Sequence, residues 1–238
     1  MVIFFVKNVK LYWKDMETKI NKYIDHTIVS RDATKAQINK VIGEAKEYDF
    51  ATVCITPTWT KYVSSQLEGT TVGTTVVIGF PFGTSSTATK VFEAKEAIQN
   101  GATELDFVVN IGMVHDRETD YLVKELAELR AATVGTVIKM IIETGELNGS
   151  EEIAYITELT AAAGFDFVKT STGIATTGAT LEDVKLMKET INGRSKIKAS
   201  GGVRTLTDAK AMIEAGADRI GTSNGISIIE GTVATEEY

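Results

Sequence analysis

The sequence of 238 residues has few of the side chains that cross-link a chain or bind a metal. It contains one cysteine, Cys54, and two histidines, His26 and His115. A single cysteine cannot form an intramolecular disulfide, so a reducing cytoplasmic location is the default expectation. The histidines lie far apart in the sequence without a cysteine partner at zinc-ligand spacing, so we expect no metal site.

Long apolar runs and an excess of positive charge are also absent. The apolar run at residues 2–6 is interrupted by Lys7 and has no small-residue cleavage pattern, so it predicts neither a signal peptide nor a membrane span. A net charge of −7 argues against a broad nucleic-acid surface. The composition, 43% hydrophobic and 24% charged, is ordinary for a globular protein. We therefore expect neither a nucleic-acid nor a membrane partner.

Proline is scarce, and no proline- or serine-rich linker divides the chain. Eight apolar, β-branched runs alternate with amphipathic segments, and they span residues 23–29, 51–56, 73–80, 104–110, 136–143, 165–171, 196–200 and 219–223. Strands that alternate with helices predict a parallel sheet. Eight units favour an α/β fold with one closed domain, the (β/α)8 TIM barrel with eight parallel strands, over an open doubly wound sheet. We place the barrel at residues 21–231, an N-terminal extension at 1–20 and a C-terminal tail at 232–238.

Four charged residues interrupt the apolar runs of the fourth to seventh strands: Asp106, Lys139, Lys169 and Lys198. Strand alternation places Phe165, Phe167 and Lys169 on one face. A single buried lysine is often a satisfied structural residue, but four charged residues on adjacent strands are hard to explain as packing. If these faces point inward, the charges converge in one pocket at the carboxyl end of the barrel.

Neighbouring lysines suit Schiff-base chemistry. An amine attacks a carbonyl only when it is unprotonated, and both burial and a nearby cation favour the neutral form. The resulting iminium stabilises a carbanion on the adjacent carbon, which permits carbon–carbon bond cleavage without a metal. A carboxylate such as Asp106 could provide the accompanying proton transfers.

Two glycine-containing segments follow the last two strands: "SGGVR" at 200–204 and "GTSNG" at 221–225. Many barrels bind phosphate in the corresponding loops. Glycines let backbone N–H groups approach the phosphate oxygens, and Arg204 and Ser223 can donate hydrogen bonds. The segments therefore predict a phosphate site, although glycines also serve ordinary turns.

Eight segments together identify a family resemblance. "YIDHT", "ATVCITPTW", "IGFPFG", "ELDFVVNIG", "VIKMIIET", "FVKTSTG", "IKASGGVR" and "RIGTSNG" closely resemble deoxyribose-phosphate aldolases, in the same order, over about residues 22–230. The resemblance implies a (β/α)8 barrel without a cofactor. It also implies reversible, metal-free cleavage of 2-deoxy-D-ribose 5-phosphate to acetaldehyde and D-glyceraldehyde 3-phosphate, in deoxyribonucleoside breakdown, by a homodimer or homotetramer.

The same resemblance assigns roles to individual residues. Lys169 would form the Schiff base, Lys198 would lower its pKa, Asp106 would act as acid and base, and Lys139 would orient Asp106. Asp25 would line the pocket near the substrate. Gly173, Gly201, Gly202, Arg204, Gly221 and Ser223 would surround the phosphate. Apart from the resemblance, we also predict that Thr170, Asn224 and Cys54 bind substrate.

Three further positions carry weaker expectations. Asn224 and Ile174 depart from the residues common in the family, which could weaken phosphate binding or broaden the tolerance for unphosphorylated aldehydes. Tyr238 would assist proton transfer from a mobile tail, or belong to an ordinary polar terminus. Cys54 is most simply a small buried residue of the second strand, and alternatively a thiol near the pocket.

Two other functions remain open at this point. The lysine and the barrel also suit another Schiff-base aldolase or a transaldolase. A barrel isomerase or a non-catalytic phosphate-ligand binder would use the lysines only as electrostatic contacts.

Overall fold

All eight apolar runs form strands in a computed structural model, which describes residues 20–232. The strands pair in chain order, each parallel to the next, and β8 pairs with β1 to close the barrel. Their bounds are Ile24–Ile28 (β1), Thr52–Ile55 (β2), Gly73–Ile78 (β3), Glu104–Val108 (β4), Val137–Ile141 (β5), Phe167–Lys169 (β6), Lys196–Ser200 (β7) and Arg219–Thr222 (β8). The predicted (β/α)8 barrel is confirmed, and the open-sheet alternative is wrong.

Helices cover the outside of the barrel. Within the described residues they are Lys35–Glu47 (α1), Thr60–Leu67 (α2), Thr87–Gln99 (α3), Ile111–His115 (α4), Thr119–Ala132 (α5), Ser150–Ala162 (α6), Leu181–Ile191 (α7), Leu206–Ala215 (α8) and Gly225–Glu230 (α9). Short 3-10 turns occur at Ile20–Tyr23, Pro57–Trp59 and Thr144–Glu146. Polar caps fix several helix starts; Thr205, for example, accepts a hydrogen bond from Asp208 N and forms a capping box with that residue.

The strand register determines which charged residues become neighbours. Asp106 of β4 pairs with Lys139 of β5, and Lys169 of β6 pairs with Lys198 of β7. Because side chains alternate along a strand, the apolar neighbours of these residues point outward into the core between the barrel and its helices. The charged side chains therefore occupy the barrel interior.

The sixth strand is shorter than predicted, which changes the position of Phe165. The strand begins at Phe167, and Phe165 precedes it. The ring of Phe165 packs against Phe107 with centroids 6.2 Å apart, in the outer apolar core. The prediction that Phe165 shares a face with Phe167 and Lys169 was wrong, because alternation starts only where the strand does.

Two predictions concern the ends of the chain, which lie outside the described residues. Residues 1–19 and 233–238, which include nearly all of the proposed extension and Tyr238, lie outside the described residues. Among residues 20–232, no helix is both long and apolar enough to cross a membrane.

Candidate active site

The barrel interior contains seven charged side chains in mutual contact, which we call the ionic cluster: Asp25, Glu104, Asp106, Lys139, Lys169, Lys198 and Arg219. Asp106 is its central anion. Its Oδ1 accepts a hydrogen bond from Lys139 Nζ at 2.8 Å. Its Oδ2 accepts from Lys169 Nζ at 2.9 Å and from Lys198 Nζ at 2.7 Å. The structure thus brings together the four charged residues that the strand pattern singled out.

A second set of contacts fixes the cluster from the amino ends of the strands. Asp25 Oδ2 lies 2.6 Å from Lys198 Nζ, and Asp25 Oδ1 accepts from Arg219 Nη1, also at 2.6 Å. Glu104 contacts both Arg219 and Lys139, the latter at 2.5 Å. Lys198 is therefore held between two carboxylates, whereas Lys169 contacts only the one that it shares.

This difference in partners separates the two lysines electrostatically. Burial lowers the pKa of Lys169; Asp106 counteracts part of that effect, and the charge of Lys198 adds to it. Burial also acts to lower the pKa of Lys198, but Asp106 and Asp25 together outweigh it and raise the pKa. Lys198 thus stays an ammonium, and Lys169 is the lysine that can become a free amine.

The carboxylates remain ionised for the same reason. Burial acts to raise the pKa of Asp106, but Lys139, Lys169 and Lys198 hold it well below its usual range. Burial is likewise outweighed at Asp25, chiefly by Lys198 and Arg219, so its pKa is lowered. The cluster contains four basic side chains and only three acidic ones, which also disfavours a proton on Lys169.

A cavity of about 220 Å³ opens above Lys169 at the carboxyl ends of the strands. Its wall contains Lys169 and seven of the predicted substrate-binding residues: Gly173, Gly201, Gly202, Arg204, Gly221, Ser223 and Asn224. Gly201 and Gly202 have φ values of 82° and 80°, which favour glycine and turn the backbone tightly before α8 begins. The amine and the glycine-containing loops therefore face one enclosed space.

Three of the residues that were expected to face the substrate do not line this cavity. Asp25 is fully buried beneath it, contrary to the expectation that it lines the pocket. Thr170 Oγ1 donates to Ser200 O at 3.1 Å and accepts from Ser200 N at 3.0 Å, so its side chain links β6 to β7. Cys54 is buried in β2, and burial raises the pKa of its thiol.

Glu143 was not singled out from the sequence. It follows β5, is buried, and adopts a left-handed backbone conformation with φ of 54°, which a non-glycine residue rarely does. Its two carboxylate oxygens accept hydrogen bonds from Thr172 N at 3.1 and 3.2 Å. Glu143 thus fixes the turn that leads from Lys169 to Gly173.

Glu104 and Arg219 were missed as well. Each stands at the first position of its strand, where a polar residue is ordinary. No local pattern relates Arg219 to Asp25, because 194 positions separate them and only closure of the barrel makes them neighbours. The aromatic ring of Phe167 lies 5.3 Å from the Arg219 guanidinium carbon, a cation–π contact that fixes Arg219 further.

These features define a class of protein: a (β/α)8 barrel with a buried lysine, whose pKa is lowered, in the wall of a cavity bordered by glycine-containing loops. Comparisons with known proteins are more specific. The model of the DeoC/LacD family of aldolases matches residues 19–231. The chain is 50% identical to deoxyribose-phosphate aldolase 1 of Mesoplasma florum over 220 residues, which are 92% of this chain and all of that protein. Deoxyribose-phosphate aldolase of Lactococcus lactis subsp. cremoris is 47% identical over the same shares.

Solved structures agree with these matches. An aldolase designated QR15 superposes with a TM-score of 0.85 at 45% identity, covering 89% of this chain and 95% of that one. The tetrameric deoxyribose phosphate aldolase of Aeropyrum pernix gives 0.83 at 31% identity, covering 90% and 91%. The chain belongs to the DeoC/LacD aldolase family.

Proposed function

We propose that the chain is a class I aldolase that reversibly cleaves 2-deoxy-D-ribose 5-phosphate to acetaldehyde and D-glyceraldehyde 3-phosphate. One observation carries the assignment: Lys169 is the only lysine of the ionic cluster that lines the cavity, and its proton is disfavoured by burial and by Lys198. The deoxyribose-phosphate aldolase names of relatives at 47–50% identity support this substrate.

The chemistry begins at the amine. Lys169 Nζ attacks the aldehyde carbon C1, and loss of water gives an iminium. The C2–C3 bond then breaks: its electron pair moves to the iminium as an enamine, and the 3-hydroxyl loses its proton as glyceraldehyde 3-phosphate leaves. Protonation of the enamine at C2 and hydrolysis of the imine release acetaldehyde and restore the amine.

We assign the proton transfers to Asp106. Its Oδ2 contacts Lys169 Nζ, so a proton can pass between them without a rearrangement of the backbone, and Lys198, which stays an ammonium, contacts the same oxygen. Lys139 holds the other oxygen and fixes the carboxylate plane. Asp25 does not line the cavity and acts indirectly, because its contact with Lys198 keeps that lysine charged.

The other end of the cavity suits a phosphate group. Gly173, Gly201 and Gly202 bring backbone N–H groups close to the cavity, and α8 begins at Leu206, directly beyond the second loop. Arg204 and Ser223 can add side-chain hydrogen bonds. We assign the 5-phosphate to this end, with the aldehyde carbon at Lys169.

Borohydride reduction in the presence of acetaldehyde tests the imine. We expect a covalent ethyl adduct on Lys169, identified by peptide mass spectrometry, and none in Lys169→Met. No adduct in a folded wild-type protein would overturn the Schiff-base assignment and favour an isomerase or a phosphate-ligand binder. Comparing the cleavage of candidate sugar phosphates separates the proposed activity from another Schiff-base aldolase or a transaldolase.

We also propose that the protein works in the cytoplasm as a homodimer or homotetramer, without a nucleic-acid or membrane partner. The solved Aeropyrum pernix relative is described as tetrameric, which supports an oligomer. Two large apolar side chains, Phe82 and Phe92, are mostly exposed on the single chain. Sedimentation equilibrium measures the assembly, and a monomer at micromolar concentration would contradict it.

A further inference from the structure

Ser200 has a buried hydroxyl that is unpaired in the part of the chain that the structure describes. The residue borders the cavity and is only 4% exposed. Thr170 Oγ1 accepts a hydrogen bond from Ser200 N and donates one to Ser200 O. Ser200 O also accepts from Ala179 N at 3.0 Å. Within residues 20–232, however, Ser200 Oγ has no hydrogen-bond partner. A buried polar atom of this kind needs an explanation, because leaving it unpaired costs free energy.

The position of the hydroxyl is set by the strand and by its neighbour. Ser200 follows Lys198 by two residues in β7, so both side chains point into the barrel, with Ser200 nearer its mouth. Gly221 of β8 pairs with Ser200, and a Cβ atom at residue 221 would overlap Ser200 Oγ and lie 3.0 Å from Lys198 Cε. The missing side chain at residue 221 thus leaves room for both groups.

Ser200 also lies between the two ends of the substrate that we assigned. Lys198 lies two residues deeper in the barrel than Ser200, about 6.6 Å along the strand. It pairs with Lys169, whose amine would react at C1. Gly201, the next residue in the chain, belongs to the proposed phosphate end. The hydroxyl-bearing substrate carbons between these ends are C3 and C4, and the deeper of the two, C3, must lie beside Asp106 and Lys198 for its hydroxyl to lose a proton.

We infer that Ser200 Oγ binds the 4-hydroxyl of the open-chain sugar phosphate and is a specificity-determining residue. This inference rests on the proposed function. The furanose form of the substrate ties O4 to C1, so a hydrogen bond to a free 4-hydroxyl selects the aldehyde form that Lys169 can attack. Ser171 Oγ also has no hydrogen-bond partner within residues 20–232, but Ser171 does not border the cavity and carries no such role.

A cycle of two enzymes and two substrates tests the contact. Ser200→Ala and the wild type are compared on 2-deoxyribose 5-phosphate and on its 2,4-dideoxy analogue, which lacks the 4-hydroxyl. We expect Ser200→Ala to lower kcat/KM about 10-fold on the parent substrate and less than about twofold on the analogue. The analogue cannot close the furanose ring, but its larger aldehyde fraction affects both enzymes equally and cancels in the cycle.

Ser195→Ala is the matched control. Ser195 is a buried serine directly before β7, and its Oγ donates to Phe165 O at 2.7 Å, away from the cavity. We expect this variant to melt at a lower temperature and to lose the same factor, if any, on both substrates. It therefore separates a substrate contact from the general effect of removing a buried hydroxyl.

Borohydride trapping of acetaldehyde distinguishes a failure of the proposed function from a failure of the proposed role of Ser200. Acetaldehyde has no hydroxyl, so Ser200→Ala should form the Lys169 adduct at the wild-type rate. A wild type that traps nothing would overturn the proposed function and this inference with it. Normal trapping with an equal loss on both substrates, or with no loss on either, would overturn only the role of Ser200.

Discussion

Two buried lysines of this protein have lowered pKa values and carboxylate partners, yet only one is suited to catalysis. Lys90 of α3 is fully buried outside the barrel, where its Nζ donates to both oxygens of Glu125 at 3.1 Å and to Val108 O at 2.9 Å. Burial lowers the pKa of Lys90 as it does that of Lys169, and Glu125 only partly compensates. A lowered lysine pKa therefore does not by itself identify a nucleophile.

The two sites differ in access and in how the anion is shared. The partner of Lys90 is held by groups packed around it: Thr87 Oγ1 and Tyr121 OH both donate to Glu125 Oε1. Lys90 does not line the cavity that Lys169 borders. Lys169 borders the cavity and shares Asp106 with two other lysines. Competition for one carboxylate, together with an open approach, makes a buried lysine reactive.

Exchanging each lysine for methionine should give opposite results. Lys169→Met removes the nucleophile, so we expect kcat to fall by about 10⁴-fold or more. Lys90→Met leaves Glu125 buried without its cation and should cost about 3–5 kcal/mol of stability. We expect it to keep kcat per folded molecule within about twofold. Urea unfolding and steady-state cleavage measure the two quantities.

The double variant Lys90→Met/Glu125→Met keeps this comparison testable if Lys90→Met does not fold. Replacing both partners by apolar residues leaves no unpaired charge, so stability should return to near the wild-type level. A folded double variant with cleavage reduced 100-fold would show that the Lys90–Glu125 pair contributes to catalysis, and would contradict a role for Lys169 alone of these two lysines.

Neutralising each carboxylate should show which anion is shared. Asp106→Asn leaves three lysines around an amide, and we expect imine formation to slow by about 10²- to 10³-fold. Glu125→Gln should leave the rate unchanged, because Lys90 takes no part in the reaction. The rate of borohydride trapping with acetaldehyde measures both variants. Equal rates for Asp106→Asn and the wild type would remove Asp106 from the proton transfers.

The pH dependence of trapping should report the protonation of Lys169. Its pKa is lowered, chiefly by burial, and only the unprotonated amine attacks. Below that pKa the rate should rise about tenfold per pH unit, and above it the rate should level off. Lys198→Met removes the neighbouring cation, so the inflection should move to higher pH. A downward shift would contradict the electrostatic role of Lys198.

The smallest effect is expected at Cys54. This residue also carries a nucleophilic atom near the ionic cluster, but burial raises the pKa of its thiol, so it stays protonated at neutral pH. Cys54→Ala should change kcat less than about twofold and cost about 1 kcal/mol of stability from the small void. A large loss of activity, with an unchanged unfolding midpoint, would give the thiol a direct role.

The sequence predicted those parts of the site in which a charge breaks an apolar strand. Asp106, Lys139, Lys169 and Lys198 are visible in this way, and the barrel prediction placed their strands side by side. The Lys90–Glu125 pair was not recognised, because charged residues at helical spacing usually face solvent. Nothing in the local pattern shows that Lys90 is instead directed toward the carbonyl of Val108.

Other gaps have equally physical causes. Strand ends are poorly defined by residue type, which is why the sixth strand was drawn two residues too long at each end. The left-handed conformation of Glu143 cannot be read from its side chain, since glutamate rarely adopts it. Thr170 was predicted to bind substrate, whereas its hydroxyl joins two strands.

The carboxylate of Glu143 has a consequence for the energetics of binding. By accepting from Thr172 N, it sets the path of the chain between the reactive lysine and Gly173. At the proposed phosphate site, a loop that already has its bound shape would lose little conformational entropy on binding, so more of the phosphate interaction would appear as affinity. The strained residue would thus preorganise the proposed site when the chain folds.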